Sequence, residues 1–149
     1  MALQLKAFAA RREPLVIALT PQQADDAGMM ALAQKLRAYF TAQGRRAEIR
    51  RIAANDVVLS LQPLRPQQRY PQWKTVDADL ILLGSPNDNL LLLDQARGHL
   101  LSDNWRQLTN GKFRVVTTYS PFVGEKWALN LLAADAPGLT AAVRRVAGG

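Results

Sequence analysis

Apolar positions fall along this chain in two rhythms, one of strand type and one of helical type. The segment PLVIALT (14–20) is aliphatic on both faces, which suits a central strand of a parallel sheet covered from both sides. In the PQQADDAGMMALAQKLRAYF that follows, Met29, Leu32, Leu36, Tyr39 and Phe40 recur at three- and four-residue spacing. That spacing predicts a helix with one buried face, capped by Asp25 or Asp26 and stopped at Gly44. RRAEIRRIA (45–53) alternates instead of running, with Ala47 and Ile49 on one face and arginines in water, as in a strand near a sheet edge. ADLILLGSP repeats the aliphatic run and is the clearest strand of the chain. NDNLLLLDQARGHLLSD then predicts a helix capped by Asn87 or Asp88, with Gly98 as a place for it to break and NWRQLTNG as a turn-rich sequel.

KFRVVTTYSPF (112–122) and KWALNLLAAD (126–135) read as two strands joined by a few residues around Val123 to Glu125. So short a link requires antiparallel pairing, because a parallel crossover needs a dozen residues or more. DAPGLTAAVRRVAGG closes as a helix capped by Asp135, with Pro137 in its first turn and Leu139, Ala142, Val143 and Val146 facing inward. Between the second and third strands, NDVVLSLQPLRPQQRYPQWKTVD predicts a short strand at 57–61. Pro63, Pro66 and Pro71 then exclude a regular helix or central strand across 62–73.

The resulting order, β-α-β-(loop)-β-α-β-β-α, predicts a small three-layer α/β sandwich, flavodoxin-like or Rossmann-like. Its sheet is mainly parallel, with a C-terminal antiparallel strand pair and helices on both faces. A chain of 149 residues is one domain in size. Residues 1–13 read as an N-terminal extension and 62–75 as a Pro-rich loop, in a domain expected to be a piece of a longer chain.

Composition narrows the chemistry. With no cysteine there are no disulfides, thiol nucleophiles or thiolate metal sites, and the single His99 leaves little for zinc; neither a metal nor a cofactor is expected. No run approaches the roughly 20 apolar residues of a membrane span. The net charge of +7, with 14 arginines among the 19 basic residues, favours acidic partners. Compartment stays open on composition alone.

Open α/β sheets hold ligands beyond the carboxyl ends of their strands. Here those ends carry Thr20-Pro21, Gly84-Ser85-Pro86-Asn87 with Asn89, and, if the fourth strand points the same way, Ser120-Pro121-Phe122. Hydroxyls and amides at a helix start suit a polar ligand, and they equally suit an ordinary strand-to-helix turn. The nucleotide signatures GxGxxG and GxxxxGK[ST] are absent, as is the nucleophile elbow GxSxG, and no catalytic constellation emerges. Tyr70 and Trp73, beside Arg65 and Arg69, read either as stacking platforms for a sugar or base or as anchors onto the core. Arg45, Arg46, Arg50 and Arg51, with Arg65 and Arg69, form a basic patch that could grip phosphate or carboxylate or simply discourage edge-to-edge pairing. No nucleic-acid motif accompanies it.

Two segments carry a resemblance. ADLILLGSPNDNLLL resembles the strand–Gly–x–Pro–x–x–Asn–Pro/Leu signature of small flavodoxin-like accessory domains, and KWALNLLAADAPGLTAAVRRVA resembles their closing strand and helix. Such modules occur in the periplasmic regulatory subunit of bacterial cellulose synthase, in S-layer proteins and beside polysaccharide-active catalytic domains. The likeness covers 78–147 and, as pattern only, 14–53. It departs at the Pro-rich loop 62–73 and at Leu90, where proline is frequent. It implies a non-catalytic accessory domain of a larger extracytoplasmic protein, in the periplasm or at the cell surface, contacting a glycan or partner domain through its strand-end loops. The alternatives are a nucleotide- or flavin-binding domain using that same edge, and a nucleic-acid or acidic-surface binder using the arginines.

Overall fold

Five strands form one mixed sheet in the order β2-β1-β3-β5-β4: β1 Leu15–Leu19, β2 Ala47–Arg51, β3 Asp79–Gly84, β4 Arg114–Tyr119 and β5 Trp127–Leu132. The computed structural model describes residues 3–52, 78–97, 99–101, 103–119 and 125–148. β1 pairs in parallel with β2 and β3, β3 in parallel with β5, and β4 alone runs antiparallel, against β5. The α/β class, the parallel centre and the antiparallel C-terminal pair are as the pattern predicts.

Alternation along each strand divides the core in two. Leu15, Ile17 and Leu19 of β1, Ile81 and Leu83 of β3 and Leu129 and Leu131 of β5 face one layer of helices. That layer holds α1 (Leu5–Ala9), α3 (Ala27–Ala42) and α5 (Ala136–Ala147), through Phe8, Leu36, Phe40, Leu139, Val143 and Val146. The opposite face, with Val16, Ala18, Leu80, Leu82 and Ala128, packs on α4 (Leu90–Arg97) and a 3-10 helix at Asp103–Gln107 through Leu91, Leu92, Leu101, Trp105 and Leu108. Continuous aliphatic strands are therefore what two-sided cover demands.

Several local details differ from the sequence reading. Within the N-terminal extension the structure adds α1, whose Phe8 is fully buried, edge-on to Phe40 at 6.1 Å. The first crossover contains a further short helix, α2 (Pro21–Ala24), before Asp26 caps α3 by accepting from Met29 N–H at 3.0 Å. The cap of α4 is Asn89, not Asn87 or Asp88; its Oδ1 accepts from Leu91 N–H at 3.0 Å. α4 ends at Arg97, and His99 adopts a positive φ of 61°. The expected strand at 57–61 and the Pro-rich loop with Tyr70 and Trp73 lie outside the described residues.

Candidate functional site

The parallel strands β1, β2, β3 and β5 all end at one edge of the sheet, and the loops there carry the residues singled out by their chemistry. Thr20 follows β1 with its Oγ1 accepting from Gln23 N–H at 3.1 Å, while its own N–H donates to Gln23 Oε1 at 3.1 Å. This reciprocal cap satisfies two backbone groups of α2. The Gln23 amide then donates to Leu83 O at 2.7 Å, tying the end of β1 to the end of β3. Asn89 Nδ2 donates to the same carbonyl at 3.1 Å.

Gly84 turns the chain out of β3 at φ +115°, and a Cβ there would stand 2.6 Å from Asp88 Oδ1. Only glycine meets both requirements, the left-handed backbone and the close approach. Asp88 Oδ1 accepts from Ser85 N–H at 2.8 Å, and Ser85 Oγ accepts from Asn87 N–H at 3.2 Å. Thr20, Ser85 and Asn89 are buried, and their polar groups are used inside the turn. Asn87 and Leu90 stand out from it; Leu90 is 62% exposed. They rim a cavity of about 200 Å³ lined also by Thr20, Ile52, Asn89 and Leu91.

β4 does not run toward this edge with the other strands. β4 is antiparallel, with Tyr119 opposite Trp127 and Arg114 opposite Leu132, so β4 ends where the other four strands begin. The condition that would have brought Ser120-Pro121-Phe122 beside Thr20 and Gly84 is not met; Ser120 and Phe122 themselves lie outside the described residues. The start of β4 and the cap of α5 occupy the place instead. Asp135 Oδ2 accepts from Gly111 N–H at 3.0 Å and Oδ1 from Gly138 N–H at 2.8 Å. These amides, Gly111 first, hold the Asp135 carboxyl below the usual aspartate range.

The basic patch also divides. Arg45 is not a surface residue: 4% exposed, it donates to Asp79 Oδ2 at 2.6 Å and to the carbonyls of Phe8 at 2.6 Å and Glu13 at 3.2 Å. Burial lowers its pKa, and Asp79 opposes the shift. Asp79, fully buried at the start of β3, also accepts from Arg11 Nε at 2.6 Å and from Trp127 N–H at 2.8 Å. This cluster ties α1, β2, β3 and β5 together at the edge where the parallel strands begin. Arg46, Arg50 and Arg51 are exposed; Arg50 pairs with Glu48 at 2.8 Å and Arg51 with Asp25 at 3.5 Å. Arg65 and Arg69 lie outside the described residues.

Sequence reasoning missed Asp79 and Arg11, and it missed a polar network inside the second core layer. Gln95 Nε2 donates to Asn130 Oδ1 at 2.9 Å, Thr118 Oγ1 donates to Gln95 Oε1 at 2.5 Å, and Asn130 Nδ2 donates to Val116 O at 3.1 Å. The available signal was a lone polar residue within an apolar run, Asp79 in ADLILL and Asn130 in WALNLL. Next to Gln95, Asp94 is buried, and its Oδ2 meets no hydrogen-bond partner among the described residues; desolvation raises its pKa, against the pull of Arg97. Among the described residues no group of three His, Asp or Glu is placed to hold a metal, and no helix is long and apolar enough to cross a membrane. Comparison with protein-family models, curated proteins and solved structures finds no match for this chain.

Proposed function

We propose that the chain is a non-catalytic interaction domain of a larger surface or polysaccharide-handling protein, working in the periplasm or at the cell surface. It contacts a glycan or a neighbouring domain across the edge where the parallel strands end. The observation that carries this is the rim formed by Asn87 and the exposed Leu90 over a cavity of about 200 Å³. Small-molecule and cofactor sites occupy roughly 300–1,000 Å³. A depression of this size favours one sugar ring or one side chain over a whole nucleotide or flavin. An amide beside an apolar side chain suits the hydroxyls and the C–H face of a neutral sugar. The inner hydroxyls and amides, already bonded within the turn, give the edge rigidity more than binding power. The resemblance of the 84–90 turn and of the last strand and helix to flavodoxin-like accessory modules supports the polysaccharide setting.

The test is an amide chemical-shift titration of the protein with neutral and acidic oligosaccharides, FMN and ATP. Shifts confined to residues 84–91 with a neutral oligosaccharide, lost in Asn87→Ala, are expected. Saturable shifts with FMN or ATP would replace this reading with the small-ligand one. A flat response to the whole panel would leave only a neighbouring domain as the contact.

A further inference from the structure

At the opposite edge, where the parallel strands begin, a groove of about 1040 Å³ runs along the link from α1 to β1, the end of α3 and the first residues of β2. Its lining includes Arg11, Arg12, Arg37, Arg45, Arg46 and Arg50, against Glu13 and Glu48. Internal partners use part of this charge: Asp79 takes Arg11 and Arg45, and Glu48 takes Arg50. Glu13 is itself engaged by Lys126 at 2.6 Å. Arg12, Arg37 and Arg46 are exposed and, among the described residues, make no ion pair. The described lining holds no aromatic residue.

β2 borders this groove and is the outermost strand, paired only with β1 among the described residues. Ile52 N–H donates to Leu19 O at 2.8 Å, in register with the ladder that matches Arg51 to Leu19. In a parallel ladder, alternate residues turn their N–H and C=O to the same neighbour, so Ala47, Ile49 and Arg51 present theirs to the outer side. Among the described residues, the groove thus combines three guanidinium groups outside any ion pair with a strand edge that no second strand pairs.

We propose that this groove docks an extended, acidic segment of a partner polypeptide. Its carboxylates would lie on the guanidinium forks of Arg12, Arg37 and Arg46, and its backbone along the outer edge of β2. Planar guanidinium groups match carboxylates bidentately, which supplies the charge recognition. Main-chain addition to an edge strand supplies the rest, and only a polypeptide repeats N–H and C=O at strand spacing. A single-stranded nucleic acid draws much of its affinity from bases stacked on aromatic rings, and the described lining offers none. A second copy of the chain would bring arginines against arginines. The groove lies at the opposite edge from Asn87 and Leu90, so both contacts can be made at once and the two proposals stand or fall separately.

The test uses the full chain and fluorescence anisotropy. The probes are a labelled peptide alternating glutamate with threonine, its glutamine counterpart, a single-stranded DNA oligonucleotide and a polyuronate oligosaccharide. The glutamate peptide is expected to bind, the glutamine peptide at least about tenfold more weakly, and both polyanions more weakly than the glutamate peptide. Arg12→Glu with Arg46→Glu, two exposed changes, should cost at least about tenfold in affinity and leave the unfolding transition in place. Hydrogen exchange at the Ala47, Ile49 and Arg51 amides should slow when the peptide is bound. DNA or polyuronate binding as tightly as the peptide would overturn the proposal. So would binding indifferent to the two charge reversals, unprotected β2 amides in the complex, or no binding at all.

Discussion

Removing the carboxylate of Asp79 is the sharpest test of how the edge where the parallel strands begin is held. The side chain is fully buried and accepts from Arg11 Nε at 2.6 Å, Arg11 Nη2 at 3.2 Å, Arg45 Nη2 at 2.6 Å and Trp127 N–H at 2.8 Å. In Asp79→Ala, the Arg11 side chain, 23% exposed, can turn to water, but Arg45 at 4% cannot. A buried positive charge is left without its counter-charge, and the Trp127 amide is left without an acceptor. Breaking a buried ion pair from one side costs about 3–5 kcal/mol. Arg45 keeps its bonds to the carbonyls of Phe8 and Glu13, which places the expected loss near the lower end, about 3–4 kcal/mol. For a chain of this length that is a fall of about 6–16 °C in Tm.

Asp79→Asn keeps the shape and one acceptor but loses the charge, so its loss should approach that of the alanine variant. The double variant Asp79→Leu with Arg45→Met should recover a large part of it, because the charge and its partner leave together. Urea unfolding gives the quantities directly, as a change in midpoint at constant m. A loss below about 1 kcal/mol in Asp79→Ala would refute the reasoning, since that is the size of an ordinary hydrogen bond. A double variant no more stable than the single one would refute the electrostatic part.

Four further outcomes are expected. The folded-state pKa of Asp94 lies above its unfolded value, so its ionisation penalises the fold at pH above the folded pKa, and the penalty fades as pH falls through it. Asp94→Asn should thus stabilise by roughly 1 kcal/mol near neutral pH and lose that advantage in acid, as urea melts at the two pH values would show. Asp135 has the opposite sign: its depressed pKa means stability that is present above the unfolded aspartate pKa and lost as pH falls through the folded one. The melts of wild type and Asp135→Ala should therefore differ near neutral pH and converge in strong acid. Gly84→Ala forces a side chain into φ +115° and against Asp88, and should lower stability by roughly 2 kcal/mol; an unchanged Tm would mean that the turn can be rebuilt. Phe8→Ala should cost about 3–5 kcal/mol in chemical unfolding, and a negligible cost would detach α1 from the core.

The candidate site was legible in part. GSPNDN is recognisable as a strand-to-helix turn because glycine, proline and asparagine each have a local reason to be there. Which asparagine caps the helix was not legible, because Asn87, Asp88 and Asn89 have equal capping chemistry. The choice falls to Asn89 because its amide also reaches Leu83 O, a contact set by where β3 ends. Arg45 and Arg46 are adjacent and chemically identical in sequence, yet one is a buried strut and the other is exposed. The difference arises from Asp79, 34 residues away in the chain.

By itself the sequence determined the five strands, the three longer helices α3, α4 and α5, the parallel centre and the antiparallel last pair. Burial on both faces writes continuous aliphatic strands, helical burial writes a three- and four-residue spacing, and a short link permits only one strand direction. Only the tertiary structure decided which polar groups meet. Strand order brings Asp79 to Arg11 and Arg45, and Gln95 to Asn130. The direction of β4 sends its end away from Thr20 and Gly84. Such pairings join residues far apart along the chain, and a local pattern carries no record of them.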